Sequence, residues 1–164
     1  MAVLMEIRAA GLKDLSALTA IEAECFPPAE AASAKELMCR LVAYPSHFWL
    51  LEDGKKTVAF LDGMVTSEAV IRDEMYADAT LHNEQGDWQT IFGVSTLPAY
   101  RRRGCAGRLI RQAIDSARSQ GRKGCILTCK EGLLPYYEKF GFRSCGVSAS
   151  VHGGAVWYDM RLTF

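Results

Sequence analysis

Seven consecutive residues, Arg101-Arg102-Arg103-Gly104-Cys105-Ala106-Gly107, carry the strongest chemical signal in the sequence. They follow an apolar, β-branched segment (Ile91, Phe92, Val94) and precede a helical pattern in which Leu109, Ile110, Ala113, Ile114 and Ala117 recur three or four apart. Strand, glycine-containing basic loop and helix N-terminus in that order bring backbone N–H groups and positive charge together. Consecutive amides from about Arg102 to Gly107, with arginine beside them, suit a pyrophosphate. The loop has neither the Gly-Lys-Ser/Thr ending of a Walker A loop nor a GxGxxG fingerprint, and in isolation it also reads as a solvated arginine turn.

A second group of interest is Pro135-Tyr136-Tyr137-Glu138-Lys139-Phe140-Gly141-Phe142. A phenol can protonate a leaving group, although a Tyr-Tyr pair in a short helix by itself more often packs than reacts. The six cysteines form no CxxC pair and no zinc-type cluster, so free, mostly buried thiols and no metal are expected.

The elements that position these groups can be read along the chain. Met5-Glu6-Ile7-Arg8 alternates as a short strand. Leu15, Leu18, Ile21, Ala23 and Cys25 mark a helix stopped by Phe26-Pro27-Pro28, and a second helix covers about 31–43, ended by Tyr44-Pro45. Asp53-Gly54 between the apolar runs 47–52 and 57–64 predicts a hairpin. Residues 66–86 read as a long loop holding at most a short helix. Further strands are expected near 88–96, 125–129, 142–145 and 156–162, with helices at about 105–121 and 133–140. The order β-α-α-β-β-β-α-β-α-β-β predicts a mixed sheet with helices on both faces, an α/β (α+β) class.

The 164 residues suit a single domain, 1–164, with a core large enough to need no cross-links. Nineteen basic residues balance nineteen acidic ones, so no protein-wide attraction to nucleic acid or anionic membrane is expected. No apolar run is long enough to cross a bilayer and no secretory signal is evident, from which a cytoplasmic protein is expected.

The order of elements, the R-x-x-G-x-A pattern at Arg101, Gly104 and Ala106, and the PYYEKFGF segment together resemble the GNAT superfamily of acyl-CoA-dependent N-acyltransferases, over nearly the whole chain. With Cys129-Lys130-Glu131 before it, that segment is most similar to the arylalkylamine (serotonin) N-acetyltransferase branch. The resemblance implies a GNAT-like, mostly antiparallel sheet of about seven strands. It also implies acetyl-CoA as acyl donor, with Arg102, Arg103, Gly104, Cys105, Ala106 and Gly107 on its pyrophosphate. Val94, Ser95 and Thr96 would pair with the pantetheine arm as an added strand, and an N–H near Val94 would polarise the acetyl carbonyl. Tyr137 matches the family tyrosine that protonates the coenzyme A thiolate, with Tyr136 its neighbour as the alternative.

Where that branch has two histidines for a base, this chain has Thr90 and Phe92, and neither takes a proton from an ammonium at neutral pH. Glu24, Glu30, His82 and Glu84 are the candidates to replace them, alongside a water chain or an amine that arrives neutral. His47, His82 and His152 are expected at surfaces or strand ends. Phe26, Trp49, Phe60, Trp88, Phe92 and Tyr136 could line an apolar pocket, and acids between Glu68 and Asp87 could attract a cation, though core packing and solvation explain each singly. The expected reaction is acetyl transfer to a primary amine, an arylalkylamine or polyamine, by direct attack in a ternary complex, in a monomer or homodimer. An acyl-CoA-binding module with little catalysis, or acetylation of a protein or peptide amine, are the alternatives.

Overall fold

A computed structural model describes residues 5–164. In chain order the elements are β1 (Met5–Ala9), α1 (Leu15–Cys25), α2 (Ala34–Ala43), β2 (Phe48–Asp53), β3 (Lys56–Asp62), β4 (Val65–Thr66), α3 (Asp73–Ala77), β5 (Trp88–Ile91), β6 (Gly93–Thr96), α4 (Cys105–Ser119), β7 (Gly124–Cys129), α5 (Leu134–Glu138), β8 (Arg143–Val147) and β9 (Tyr158–Thr163). They make two sheets. One is antiparallel in the order β1-β2-β3-β6; the other runs β4-β5-β7-β9-β8, with β5 and β7 parallel and connected through α4.

The expected strand over 88–96 is therefore two strands that change partners at Phe92. Its first half pairs with β7 as far as Ile91↔Leu127, and its second half pairs with β3 from Gly93↔Asp62. Counted as one strand, and with the two-residue β4 set aside, they leave the seven strands expected. Asp53-Gly54 does form the hairpin turn, with Gly54 at φ 61°, the left-handed region that glycine tolerates.

Helices cover both faces, as the periodicity requires. Leu109, Ile110, Ala113, Ile114 and Ala117 of α4 pack on Leu51, Leu61 and Leu127, all buried. On the opposite face Leu18 and Ile21 of α1 and Leu37 and Leu41 of α2 pack on Phe48, Leu50 and Phe60. Each such side chain contributes about 1.5–3 kcal/mol through burial. Helix α2 starts later than expected because Ser33 caps it: its Oγ accepts from the Glu36 N–H (3.1 Å) while Glu36 Oε1 accepts from the Ser33 N–H (3.0 Å). Among the cysteines, Cys105, Cys125 and Cys129 are buried, Cys25 is half-buried, and Cys39 and Cys145 are exposed, so burial of the thiols is less general than expected. Among the described residues no helix is long and apolar enough to cross a membrane.

His47 stands at a strand end, directly before β2, but it is buried rather than at the surface, 1 % exposed. Gln89 Nε2 donates to the carbonyls of Gly63 and Thr90, both at 2.8 Å, which turns its Oε1 toward His47 and makes His47 Nδ1 a donor at 2.8 Å. His47 Nε2 lies 2.9 Å from both carboxylate oxygens of Glu84, which also receives His82 Nε2 at 3.2 Å and Arg122 at 2.7 Å. The two histidines and Glu84 are close enough to face one metal ion. However, His82 Nδ1 accepts the Val65 N–H at 2.9 Å, so its Nε2 carries the proton and is not free to ligate. The cluster is an ion-pair tie between the long loop and the sheet.

Burial opposes ionisation of Glu84, and the hydrogen bonds from His47 and His82 overcome it, holding the carboxyl below its ordinary value. Glu84→Ala is expected to cost about 2 kcal/mol in urea unfolding at pH 7, because a buried His47 nitrogen loses its acceptor. A group with a depressed folded pKa stabilises above its unfolded value and loses that contribution as pH falls through the folded one. The deficit of the variant should therefore shrink in acid, and a deficit independent of pH would contradict the tie.

Candidate active site

Helix α4 is preceded at its N-cap by Gly104, which has φ 77° and, like any glycine, offers no side-chain cap. Arg102 before it also has positive φ, 62°, uncommon for a residue with a side chain. The first helical bond to reach back is that from the Arg108 N–H to the Gly104 carbonyl at 3.0 Å. Among the described residues, no carbonyl or side chain accepts from the N–H groups of Arg102 through Gly107. Six consecutive donors without an acceptor among the described residues thus gather at the positive end of a 15-residue helix. Arg101 is turned aside, its Nε on the Thr96 carbonyl at 3.2 Å, and Arg103 lies over the Tyr100 ring; Arg102 is exposed beside the amides.

The change of partners at Phe92 opens the sheet. Beyond Ile91 and Leu127 the two strands separate, and β6 becomes the edge of its own sheet. The Leu97 N–H bonds the Val58 carbonyl, so by alternation along an antiparallel ladder Ser95 also faces β3 while Val94 and Thr96 present N–H and C=O to the free edge. Thr96 shows this directly, its carbonyl accepting from the Cys25 thiol at 3.3 Å and from Arg101. The free edge of β6 leads through Leu97-Pro98 into the six amides.

A cavity of about 290 Å³ lies at this opening, walled by Phe92, Gly93 and Val94 on one side and Thr128, Cys129 and Tyr137 on the other. Tyr137 faces it; Tyr136 is not among its walls and packs edge-on to Tyr137 and Phe140 instead. The Tyr137 hydroxyl has no partner in the described residues, and burial raises its pKa well above the ordinary phenol value, so it holds its proton at neutral pH. Burial likewise pushes the thiol of Cys129 up to about 11 and raises that of Cys105, which disfavours either as a nucleophile.

The expected base positions separate sharply. Thr90 is fully buried and spends its hydroxyl on the Met64 carbonyl at 2.8 Å, whereas Phe92 forms cavity wall against Tyr76 and Arg40. Of the four proposed replacements only Glu30 reaches the cavity, and it is bonded to Lys130 at 3.0 Å. His82 and Glu84 belong to the His47 tie, and Glu24 is exposed on α1. Among the expected pocket aromatics, Phe26 and Phe92 line it, while Trp49, Phe60 and Trp88 are core. None of the acids from Glu68 to Asp87 lines the cavity; its acids are Glu22, Glu30, Glu36 and Asp62.

Glu22 is the residue that sequence reasoning missed. It stands on the apolar face of α1 with Leu18, Ile21 and Cys25, at i, i+3, i+4 and i+7, and that placement of an acid on a core-facing stripe was the available signal. One carboxylate oxygen accepts the Ala32 N–H at 2.9 Å. Arg40, also in the wall, is committed elsewhere: it donates to Asp62 at 3.4 Å and to the Tyr76 carbonyl at 2.7 Å.

Comparison with known proteins agrees with this fold. The chain is 26 % identical over 111 residues to serotonin N-acetyltransferase of Mesocricetus auratus and spans 52 % of that relative's length. It superposes on the loading GNATL domain of CurA from Lyngbya majuscula with a TM-score of 0.84 at 15 % identity, covering 98 % of both chains. On the GphF GNAT-like decarboxylase in complex with isobutyryl-CoA the TM-score is 0.79 at 21 % identity, over 96 % of this chain and 98 % of that one. The acetyltransferase (GNAT) family profile matches residues 15–142, from the first helix through the open strand, the amide loop and the tyrosine segment to Phe142, so the chain belongs to the GNAT acetyltransferase family.

Proposed function

We propose that the protein transfers an acetyl group from acetyl-CoA to a primary amine by direct attack in a ternary complex. The observation that carries this reading is the edge of β6 running into six amides without a partner among the described residues. An extended, amide-bearing pantetheine arm can add to that edge through Val94 and the Thr96 N–H, and its pyrophosphate then reaches Arg102 to Gly107. A structural relative is a complex with isobutyryl-CoA, which supports an acyl-CoA as the class of ligand.

The Val94 N–H donates toward the thioester carbonyl, stabilising the oxyanion that forms on attack. Tyr137 gives its proton to the departing thiolate. No acyl-enzyme is required, in keeping with the raised thiol pKa values of Cys105 and Cys129. Phe26, Tyr76, Phe92 and Trp157 give the cavity an apolar lining, and its four acids outnumber Arg40 and Lys130, which favours a cationic amine on an apolar body, such as an arylalkylamine. The serotonin N-acetyltransferase relative supports the same class.

Incubation with acetyl-CoA and a panel of arylalkylamines, polyamines and amino-terminal peptides tests the reading. Free thiol and N-acetylated arylalkylamine should appear one for one. Peptide acetylation alone would move the acceptor to the protein class, and no thiol release with any amine would overturn the proposal.

A further inference from the structure

We propose that Glu22 is the catalytic base that takes the proton from the acceptor ammonium, an assignment that rests on the amine-acylation reading above. Its position on α1 is fixed by packing: Leu18 and Ile21 are buried beneath it, and one turn on the Cys25 thiol is bonded to the Thr96 carbonyl of β6. The face of α1 that carries Glu22 is therefore turned to the strand where the thioester is expected, and Glu22 shares a cavity with Val94 and Tyr137. The carboxylate is held in place through Oε2, which accepts the Ala32 N–H, while Oε1 has no partner among the described residues and is not sealed from the cavity. A tethered oxygen with a free neighbour is the geometry a proton acceptor needs.

The surrounding charges leave Glu22 available. Asp62 from β3 and Arg40 from α2 are paired with each other, and Glu30 is paired with Lys130. Glu36 of α2 is engaged in capping its own helix. Tyr76 of α3 bonds Thr128, and His152 bonds the Glu30 carbonyl. The hydroxyl of Tyr137 across the cavity stays protonated. No cation forms an ion pair with Glu22 among the described residues, so the burial of the residue, 7 % exposed, is offset by the Ala32 hydrogen bond and not by an ion pair. Burial pushes its pKa up to about 7, with Asp62 raising it further against the opposing Ala32 hydrogen bond and Arg40. A base with that affinity is ionised in part at neutral pH and strong enough to accept a proton.

The proton count balances. Glu22 takes one proton from the ammonium; the nitrogen lone pair attacks the thioester carbon, the C–N bond forms and the C–S bond breaks. Tyr137 protonates the thiolate, and the proton shed as the amide forms restores the phenol. Glu22 returns its proton to solvent, so one ammonium and one thioester give one amide, one thiol and one released proton.

The test is Glu22→Gln, whose amide oxygen can still accept the Ala32 N–H. With the panel amine that wild-type protein acetylates fastest, kcat should fall by about 10²-fold or more, coenzyme A affinity should be unchanged, and the rising limb of kcat near pH 7 should disappear. A folding control is built in. A carboxyl with a raised folded pKa is stabilising below its unfolded value of about 4.5 and loses that contribution as pH rises to about 7. Glu22→Gln should therefore melt a few degrees above wild type at pH 8 and not at pH 4. Wild-type kcat and an intact limb in a folded variant would overturn the assignment, as would a defect confined to the amine KM. Absence of amine acetylation by the wild-type protein would instead remove the reading on which it rests.

Discussion

Replacing Tyr137 by Phe is expected to lower kcat by about 10²-fold or more while the dissociation constant for coenzyme A stays unchanged. The substitution removes one oxygen and leaves the ring, whose edge-on contacts with Tyr136 and Phe142 hold the segment in place. Because the hydroxyl makes no bond within the described residues, its loss leaves no stranded partner, and folding should be unaffected. The lost rate is that of expelling a thiolate without an acid beside it. Two measurements separate this from a packing effect: thiol release under saturating substrates, and calorimetry of coenzyme A binding. Full activity in the Phe variant would exclude the phenol as the acid, and a parallel loss of binding would make Tyr137 a recognition residue.

The largest stability effect is expected at Gly63. A Cβ there would overlap the Thr90 carbonyl oxygen and stand 2.6 Å from Thr90 Oγ1, so the backbone of β5 itself would have to move. Gln89 Nε2 also bonds the Gly63 carbonyl, at 2.8 Å. Gly63→Ala should therefore cost about 3 kcal/mol, visible as a lowered urea midpoint. The displacement would fall on the strand that leads into Phe92, so acyl-CoA affinity should fall as well. An unchanged midpoint would mean that the β3–β4 corner does not press on β5 as described.

Much of the architecture follows from short-range patterns. Asp53-Gly54 specifies its hairpin through the left-handed conformation at Gly54, and the stripe from Leu109 to Ala117 specifies which side of α4 meets the sheet. The partner change at Phe92 has no such signature. Ile91, Phe92 and Val94 are apolar and extended whether their backbone bonds go to β7 or to β3, and side-chain periodicity does not record where a strand's hydrogen bonds end.

The site was legible to a similar degree. Loop chemistry pointed to the amides that the structure leaves without an acceptor among the described residues, because glycine and arginine at a helix start act locally. The base was hidden because an acid on α1 reads as solvated unless its neighbours are placed on the helix surface. Leu18, Ile21 and Cys25 put Glu22 on the packed face, where desolvation raises its proton affinity. Arg40 follows the same rule on α2, buried between Leu37 and Leu41 and balanced by Asp62. His47 went unrecognised for another reason: its partners Gln89 and Glu84 come from 42 and 37 residues away, a distance at which sequence pattern carries no information.

The central claim is that the free edge of β6 and the α4 loop form one continuous acyl-CoA site, and amide hydrogen exchange with and without coenzyme A tests it most directly. In the free protein the amides of Val94, Thr96 and Arg102 to Gly107 have no acceptor among the described residues and should exchange rapidly; saturating coenzyme A should slow both sets together. Protection of neither set, or of the loop amides without those of β6, would contradict the account.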